Sequence, residues 1–383
     1  MKVVIAIDSL KGSMTSIEAG NAIKEGILNI TDAEVVVKPL ADGGEGTTEA
    51  LVEGLGGELV TVEVMGPLKE NIKAKYGYIA GSKLAIIEMA AAAGIVLVDK
   101  NKNPMEATTY GVGEIIKDAI GRGCRDFIIG IGGSATNDGG IGMLTALGFA
   151  FLDREGNYLG FGGKDLGKIA SVSIENAIPE LKECHFRIAC DVTNPLCGNN
   201  GATYVYGPQK GVKGDMLEIL DRDMENFAEV TKRYLANDYA KTPGAGAAGG
   251  LGFAFLSYLN GDLQSGINLV VDAVKIEECM KNADYVITGE GRLDFQTAMG
   301  KAPVGIAKLA KKYGATVIAL AGSVTDEAVK CNEEGIDAFF PILTQVVTLE
   351  EAMEPKTAKK NIIKTTEQVF RLITAVNAER KNK

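Results

Sequence analysis

Short apolar runs, each closed by a glycine or a carboxylate, recur along this chain and set its expected architecture. Residues 3–8 form a continuous apolar run ending in an acid, the pattern of a parallel strand buried on both faces. Thr15-Ser16-Ile17-Glu18 has the spacing of a capping box and opens a helix with Ile17, Ile23 and Ile27 on one side. Residues 34–40 supply the next strand. The same alternation returns at the far end, with strands at 285–288, 316–321 and 338–342, helices near 302–313 and 326–334, and a last helix over about 358–380. Two strands in front and three behind fit one five-stranded, doubly wound parallel sheet interrupted by an insertion.

The middle has another texture. A helix at 47–55 precedes strand-like runs at 58–64, 72–79 and 84–89, and the turn at Gly81-Ser82 joins the last two, so an antiparallel meander is expected. A helix at 107–122 leads to a strand at 127–130. Strands at 149–153 and 186–190 and a long helix at 216–235 follow. A chain of 383 residues exceeds one ordinary core. The expected division is a discontinuous domain of residues 1–42 and 281–383 around an inserted α/β domain of residues 43–280.

Composition narrows the classes. The chain is 46% hydrophobic and 23% charged, as in globular proteins. A net charge of −10 with scattered basic residues argues against nucleic-acid and anionic-membrane partners. No stretch approaches the ~20 apolar residues of a membrane span, and the opening run reads as a first strand, not a signal peptide. The lysines at the end, Lys381 and Lys383, read as a solvated helix terminus. Six cysteines without CxxC pairing fit the reduced thiols of a cytoplasmic protein. The single histidine, His185, argues against His-rich zinc sites and a Ser-His-Asp triad, leaving acid–base work to carboxylates and lysines.

The 48 glycines gather after apolar runs, where free backbone N–H groups can meet an anion. Asp8-Ser9-Leu10-Lys11-Gly12-Ser13 offers a lysine and hydroxyls to a phosphate or carboxylate, and Asp8 to a metal or substrate hydroxyl. In Ala41-Asp42-Gly43-Gly44-Glu45-Gly46-Thr47 the glycines allow close backbone approach beside two acids. Gly130-Ile131-Gly132-Gly133-Ser134-Ala135-Thr136-Asn137-Asp138-Gly139-Gly140 contains a G-x-G-x-x-A match. The acid about twenty residues on, Asp153, sits in a hairpin-like turn, so phosphate or nucleotide contact is favoured over a dinucleotide. Gly289-Glu290-Gly291-Arg292-Leu293-Asp294 presents a guanidinium suited to bidentate grip on a carboxylate or phosphate. Cys190-Asp191-Val192-Thr193-Asn194 places Asp191 at a strand end, as a general base or metal ligand. The glycine run 244–250 follows no strand and fails as a dinucleotide motif. Singly, each loop reads as well as a polar turn. In a sheet of order 2-1-3-4-5, however, the loops of Lys11, Arg292 and Asp42 leave one edge, where ligands bind, and the insert would supply the facing wall of an interdomain cleft. Cations beside carboxylates suit phosphoryl transfer with Mg²⁺. Walker A and protein-kinase motifs are absent.

In order along the chain, these motifs, with Asp191-Val192-Thr193-Asn194-Pro195-Leu196 and Gly300-Lys301, resemble those of the bacterial class I glycerate kinases. The resemblance implies a flavodoxin-like domain with an inserted restriction-endonuclease-like domain. It further implies ATP-dependent phosphorylation of D-glycerate, usually to 2-phosphoglycerate; related enzymes act on the 3-hydroxyl. Beside it, residue chemistry gives Lys11 and Arg292 to the substrate carboxylate or transferring phosphate, Asp191 and then Asp42 to the base, and Asp8 or Glu290 to Mg²⁺. Substrate contacts fall to Asp8, Ser9, Gly43, Gly44, Asn194 and Glu290. Nucleotide contacts fall to Gly132, Gly133, Ser134, Thr136, Asn137 and Asp138. An NAD-dependent hydroxy-acid dehydrogenase would use similar glycines but commonly needs a histidine, and His185 lies in no glycine loop. A non-catalytic ligand sensor would bind without turnover. Oligomeric state is left open, a homodimer among the options.

Overall fold

The computed structural model describes residues 1–381; Lys383 of the basic end lies outside them. In chain order the strands are β1 (Lys2–Ile5), β2 (Glu34–Val37), β3 (Glu58–Met65), β4 (Asn71–Ile79), β5 (Leu84–Glu88), β6 (Asp126–Gly130), β7 (Ala150–Leu152), β8 (Ser171–Ser173), β9 (His185–Ala189), β10 (Asp262–Gln264), β11 (Tyr285–Leu293), β12 (Thr316–Val324) and β13 (Ala338–Pro341). They fall into two units. The first takes residues 1–42, 53–55 and the chain from 270 onward; the second takes 43–52 and 56–269.

The first unit holds five parallel strands in the order β13-β12-β11-β1-β2. The helix Ser16–Leu28 starts on the expected capping box: the Thr15 hydroxyl accepts from the Glu18 N–H, and the Glu18 carboxylate accepts from the Thr15 N–H. Its Ala19, Ile23 and Ile27 share one core with Val3 and Ile5 of β1 and with Ile362 and Phe370 of the helix Pro355–Lys381. Each fully buried aliphatic side chain there contributes roughly 1.5–3 kcal/mol.

Two sequence expectations fail here. Glu290-Gly291-Arg292 is not a loop; β11 continues to Leu293, paired with β12 as far as Val324. Gly289 permits this, because a Cβ at that position would lie 1.8 Å from the Leu320 carbonyl oxygen. Its glycine serves strand packing, not a turn, and the pairing carries Glu290 and Arg292 on one face of the strand. The expected helix at 326–334 is likewise a 3₁₀ turn, Asp326–Val329, and a single α-turn, Lys330–Glu333.

The second unit holds a six-stranded sheet in the order β10-β9-β6-β5-β4-β3. The β3–β4–β5 meander is antiparallel, whereas β5, β6, β9 and β10 run parallel. Phe127 and Phe186 stack at 4.8 Å between adjacent strands β6 and β9. The helix Tyr110–Gly121 buries Val112, Ile115 and Ile116 in the same core. β7 pairs with β8 in a separate two-stranded ribbon. Among the described residues no helix is long and apolar enough to cross a membrane.

Candidate active site

In the first unit the hydrogen-bond ladder between β1 and β11 runs on past Ile5: the Ala6 N–H donates to the Ile287 carbonyl (2.8 Å) and the Asp8 N–H to that of Gly289 (2.9 Å). Asp8 is thereby fixed at the carboxyl end of the sheet, one strand from Glu290. Both line a cavity of about 400 Å³ that also takes Ser9, Lys11 and Asp42. Arg292, Asp294 and Lys301 complete its polar side. Lys301 precedes the helix Ala302–Lys312. Sequence reasoning noted Gly300-Lys301 only as part of a motif and gave Lys301 no role.

Burial is the main force on Asp8 and Glu290. It raises Asp8 to about 7, with Asp42 and then Glu290 adding to the effect, against the Ser9 N–H bond (2.6 Å) and the Lys11 charge. Burial also raises Glu290, opposed first by the Thr297 hydroxyl, which donates to it at 2.6 Å. Asp294 is occupied as a cap, accepting from the Gln296 and Thr297 N–H groups.

The second unit gathers a second set of residues at the carboxyl ends of its parallel strands, where Glu88 of β5, Gly130 of β6 and Ala189 of β9 stand in register. Gly43 lies across these ends with φ +86°. A Cβ there would come within 2.8 Å of the Ala189 Cβ and 2.9 Å of the Gly266 Cα, so only glycine fits. Asp191, just beyond β9, is exposed and accepts from the Gly266 N–H at 3.0 Å. Asn194 braces its own loop, donating to the Asn200 carbonyl (2.8 Å) and accepting from the Tyr206 hydroxyl (2.6 Å). Asp42 of the first cavity and Gly43 of this set are consecutive residues.

The segment 132–138 divides sharply. Gly132 and Gly133 are exposed, whereas Ser134, Thr136, Asn137 and Asp138 are buried. Asp138 accepts from the Thr109 N–H (2.7 Å) and hydroxyl (2.8 Å) and from the Gly140 N–H (3.2 Å). Asn137 donates to Thr203 (3.0 Å). Lys210 is 2% exposed, and its Nζ donates to the Ser134 Oγ (2.7 Å) and the Thr136 carbonyl (2.6 Å). Burial lowers the Lys210 ammonium to about 7 despite the neighbouring Asp138 charge. Nothing in Pro208-Gln209-Lys210-Gly211 distinguishes it from an exposed turn, so sequence reasoning missed this lysine. The glycine run at 244–250 packs on the same loop: the Gly139 N–H donates to the Gly249 carbonyl at 2.9 Å.

Thus Asp8, Ser9, Lys11, Asp42, Glu290 and Arg292 share one cavity, and Gly43 and Asp191 share a sheet edge in the second unit. Comparison with known proteins gives these arrangements a context. A profile described as the glycerate kinase family matches residues 3–374. The chain is 46% identical over 356 residues to the glycerate kinase of Bacillus subtilis (strain 168), covering 92% of this chain and 93% of that one. It is 48% identical over 354 residues to the glycerate 2-kinase of Escherichia coli (strain K12), at 92% and 93% coverage. A crystal structure described as that of a "putative glycerate kinase 2" from Salmonella typhimurium LT2 superposes with a TM-score of 0.91 at 44% identity, covering 99% of both chains.

Proposed function

Because the chain belongs to the glycerate kinase family, we propose that it transfers the γ-phosphoryl group of ATP to the 2-hydroxyl of D-glycerate, forming 2-phosphoglycerate and ADP. The observation that carries this reading is the first-unit cavity, where Lys11, Arg292 and Lys301 meet Asp8, Asp42 and Glu290. Cations in that number suit an anionic donor and an anionic acceptor. The transition state of phosphoryl transfer needs charge neutralisation and in-line positioning more than covalent help.

In this proposal Lys11 and Lys301 engage phosphate oxygens, and Arg292 grips the glycerate carboxylate or the transferring group through its fork. The hydroxyl oxygen attacks the γ-phosphorus, the bond to the β,γ-bridging oxygen breaks, and ADP leaves. The hydroxyl proton passes to the Asp191 carboxylate, with Asp42 the second choice. Asp191 suits the base because it is exposed, and the Gly266 N–H holds one of its oxygens. Gly132 and Gly133 present backbone alone to the ligands.

The acids fit Mg²⁺. They supply hard oxygen donors, and Asp8 sits among like charges that a divalent cation would relieve. Among the described residues no cluster of three or more His, Cys, Asp or Glu forms a ready metal cage. Mg²⁺ seldom uses one, taking one or two carboxylates together with substrate phosphates. Asp8 and Glu290 would hold the ion, and its chemistry there would be to neutralise charge on the phosphate oxygens.

A coupled ATP-to-ADP assay with D-glycerate tests the roles. Asp191→Asn is expected to lower kcat by about 10²- to 10⁴-fold, the usual contribution of a positioned base. Lys11→Ala is expected to lower kcat/KM by about 10- to 100-fold, as for a lost charge-assisted hydrogen bond. Near-normal turnover in both variants removes them from the mechanism. Phosphorus NMR of the product distinguishes 2- from 3-phosphoglycerate.

A further inference from the structure

We propose that the first-unit cavity holds the whole nucleotide, with the adenine ring of ATP seated on an apolar wall formed by Leu343, Leu349 and Met353. This rests on the kinase reading, which makes ATP the donor.

The cavity lining carries two chemistries. Lys11, Arg292, Lys301 and the acids are polar, whereas Leu343, Leu349, Ala352 and Met353, all from the stretch after β13, make an apolar wall, and Leu10 and Ile342 add to the apolar lining. D-glycerate bears an oxygen on every carbon and has no apolar face to set against that second wall. At about 400 Å³ the space lies at the lower end of the ~300–1,000 Å³ typical of sites for drug-sized ligands, larger than a hydroxy acid needs. A purine ring is the part of the two substrates with apolar faces.

The wall also stands open. Leu349 is 76% exposed and Leu343 42% exposed, although both line a concave site. Apolar side chains left in water around a cavity mark a surface that a ligand covers. Leu349 and Met353 are four residues apart on the helix Leu349–Met353, so they face the same way. Met353 reaches the phosphate-handling loop: its Cε lies 2.7 Å from the position a Cβ on Gly12 would take. The wall therefore adjoins Lys11, and a base on Met353 leaves its phosphates near the cations. A flexible thioether is suited to packing on a ring.

The alternative location offers less. The side chains of Ser134, Thr136, Asn137 and Asp138 are buried, leaving the backbone of Gly132 and Gly133 without an apolar surface for a base.

The test uses the full chain and neutral substitutions, so that phosphate binding feels no new charge. Leu349→Gln and Met353→Gln are made singly and together, both positions being exposed enough to accept a polar group. Isothermal titration calorimetry measures Mg·ATP and, as a probe without a base, tripolyphosphate; steady-state assays give KM for ATP and for D-glycerate. The double variant is expected to bind Mg·ATP about 10- to 100-fold more weakly and to raise KM for ATP in step. Tripolyphosphate affinity and KM for D-glycerate stay at wild-type values, and Leu349→Met retains ATP affinity. Unchanged ATP affinity in the double variant overturns the proposal, as does an equal loss for tripolyphosphate. The two readings separate cleanly. Loss of Mg·ATP binding in the variants of a protein that does not turn over D-glycerate would sink the kinase reading and keep the adenine wall. Turnover of D-glycerate with undiminished ATP affinity in the variants does the reverse.

Discussion

Replacing Lys210 by methionine is expected to make the stability difference from wild type depend on pH. The ammonium, 2% exposed and ordinarily titrating at 10.5, is brought to about 7 by burial. Between those values the unfolded chain binds one proton more than the folded chain, so this group makes wild-type stability rise with pH. At about 1.4 kcal/mol per unit the full window is worth about 5 kcal/mol, nearly all of it a penalty at pH 7. The bonds to Ser134 and the Thr136 carbonyl work against that penalty, since each acceptor left unpaired costs roughly 1–3 kcal/mol. Methionine keeps the length, loses both bonds and escapes the penalty, so the variant is close to wild type at pH 7. From pH 7 to pH 9 the wild type gains about 2 kcal/mol on the variant, as its lysine sheds the proton. The chain has no tryptophan, so urea unfolding is followed by far-UV circular dichroism at both pH values. A difference that stays constant within about 0.5 kcal/mol across that range, against the ~1.4 kcal/mol per unit of a perturbed group, would refute the buried, proton-shedding lysine.

Two further outcomes follow from geometry already described. Gly289→Ala places a methyl 1.8 Å from the Leu320 carbonyl and forces β11 from β12; a loss above about 4 kcal/mol is expected, read as a thermal midpoint lowered by roughly 10 °C, and an unaltered midpoint contradicts the packing argument. Arg292→Lys keeps the charge and removes the planar fork, so kcat/KM for D-glycerate is expected to fall about 10-fold or more; full activity would mean that a point charge suffices there.

Much of the frame is legible because local rules and tertiary packing agree. The capping box at Thr15, the helix Thr47–Leu55, the meander and the helix Met216–Leu235 stand where periodicity and turn chemistry put them. The five-stranded order also follows from the spacing of apolar runs. The failures occur where tertiary contacts decide alone. Gly289 and Gly291 break the apolar pattern that marks a strand, yet β12 supplies a complete partner ladder, so the strand runs through them. At 134–138 the polar side chains suggest a ligand, but the partners that claim them, Thr109, Thr203 and Lys210, are distant in sequence. Lys210 itself carries no local sign of burial. The apolar wall was equally hidden, because no element was expected between the strand at 338–342 and the last helix, and only the cavity gathers Leu349 and Met353 with Lys11.

The discontinuity of the first unit sets an order of assembly during synthesis. β1 lies between β2 and β11, and the first bond joining the two ends, from the Lys2 N–H to the Asp284 carboxylate, spans 282 positions. At translation rates of about 5–20 residues per second, the ribosome needs roughly 15–60 s to deliver β11 after β1 has emerged. Throughout that interval the apolar edge of β1 has only β2 and its connecting helix for company, while the second unit can complete its own sheet. The latter unit is thus a fold nested inside an unfinished one, and the cavity with Lys11, Glu290 and Arg292 is among the last features of the chain to form. Any delay in the final hundred or so residues leaves a nascent chain with a folded interior and a sticky leading strand, the kind of intermediate that chaperones attend.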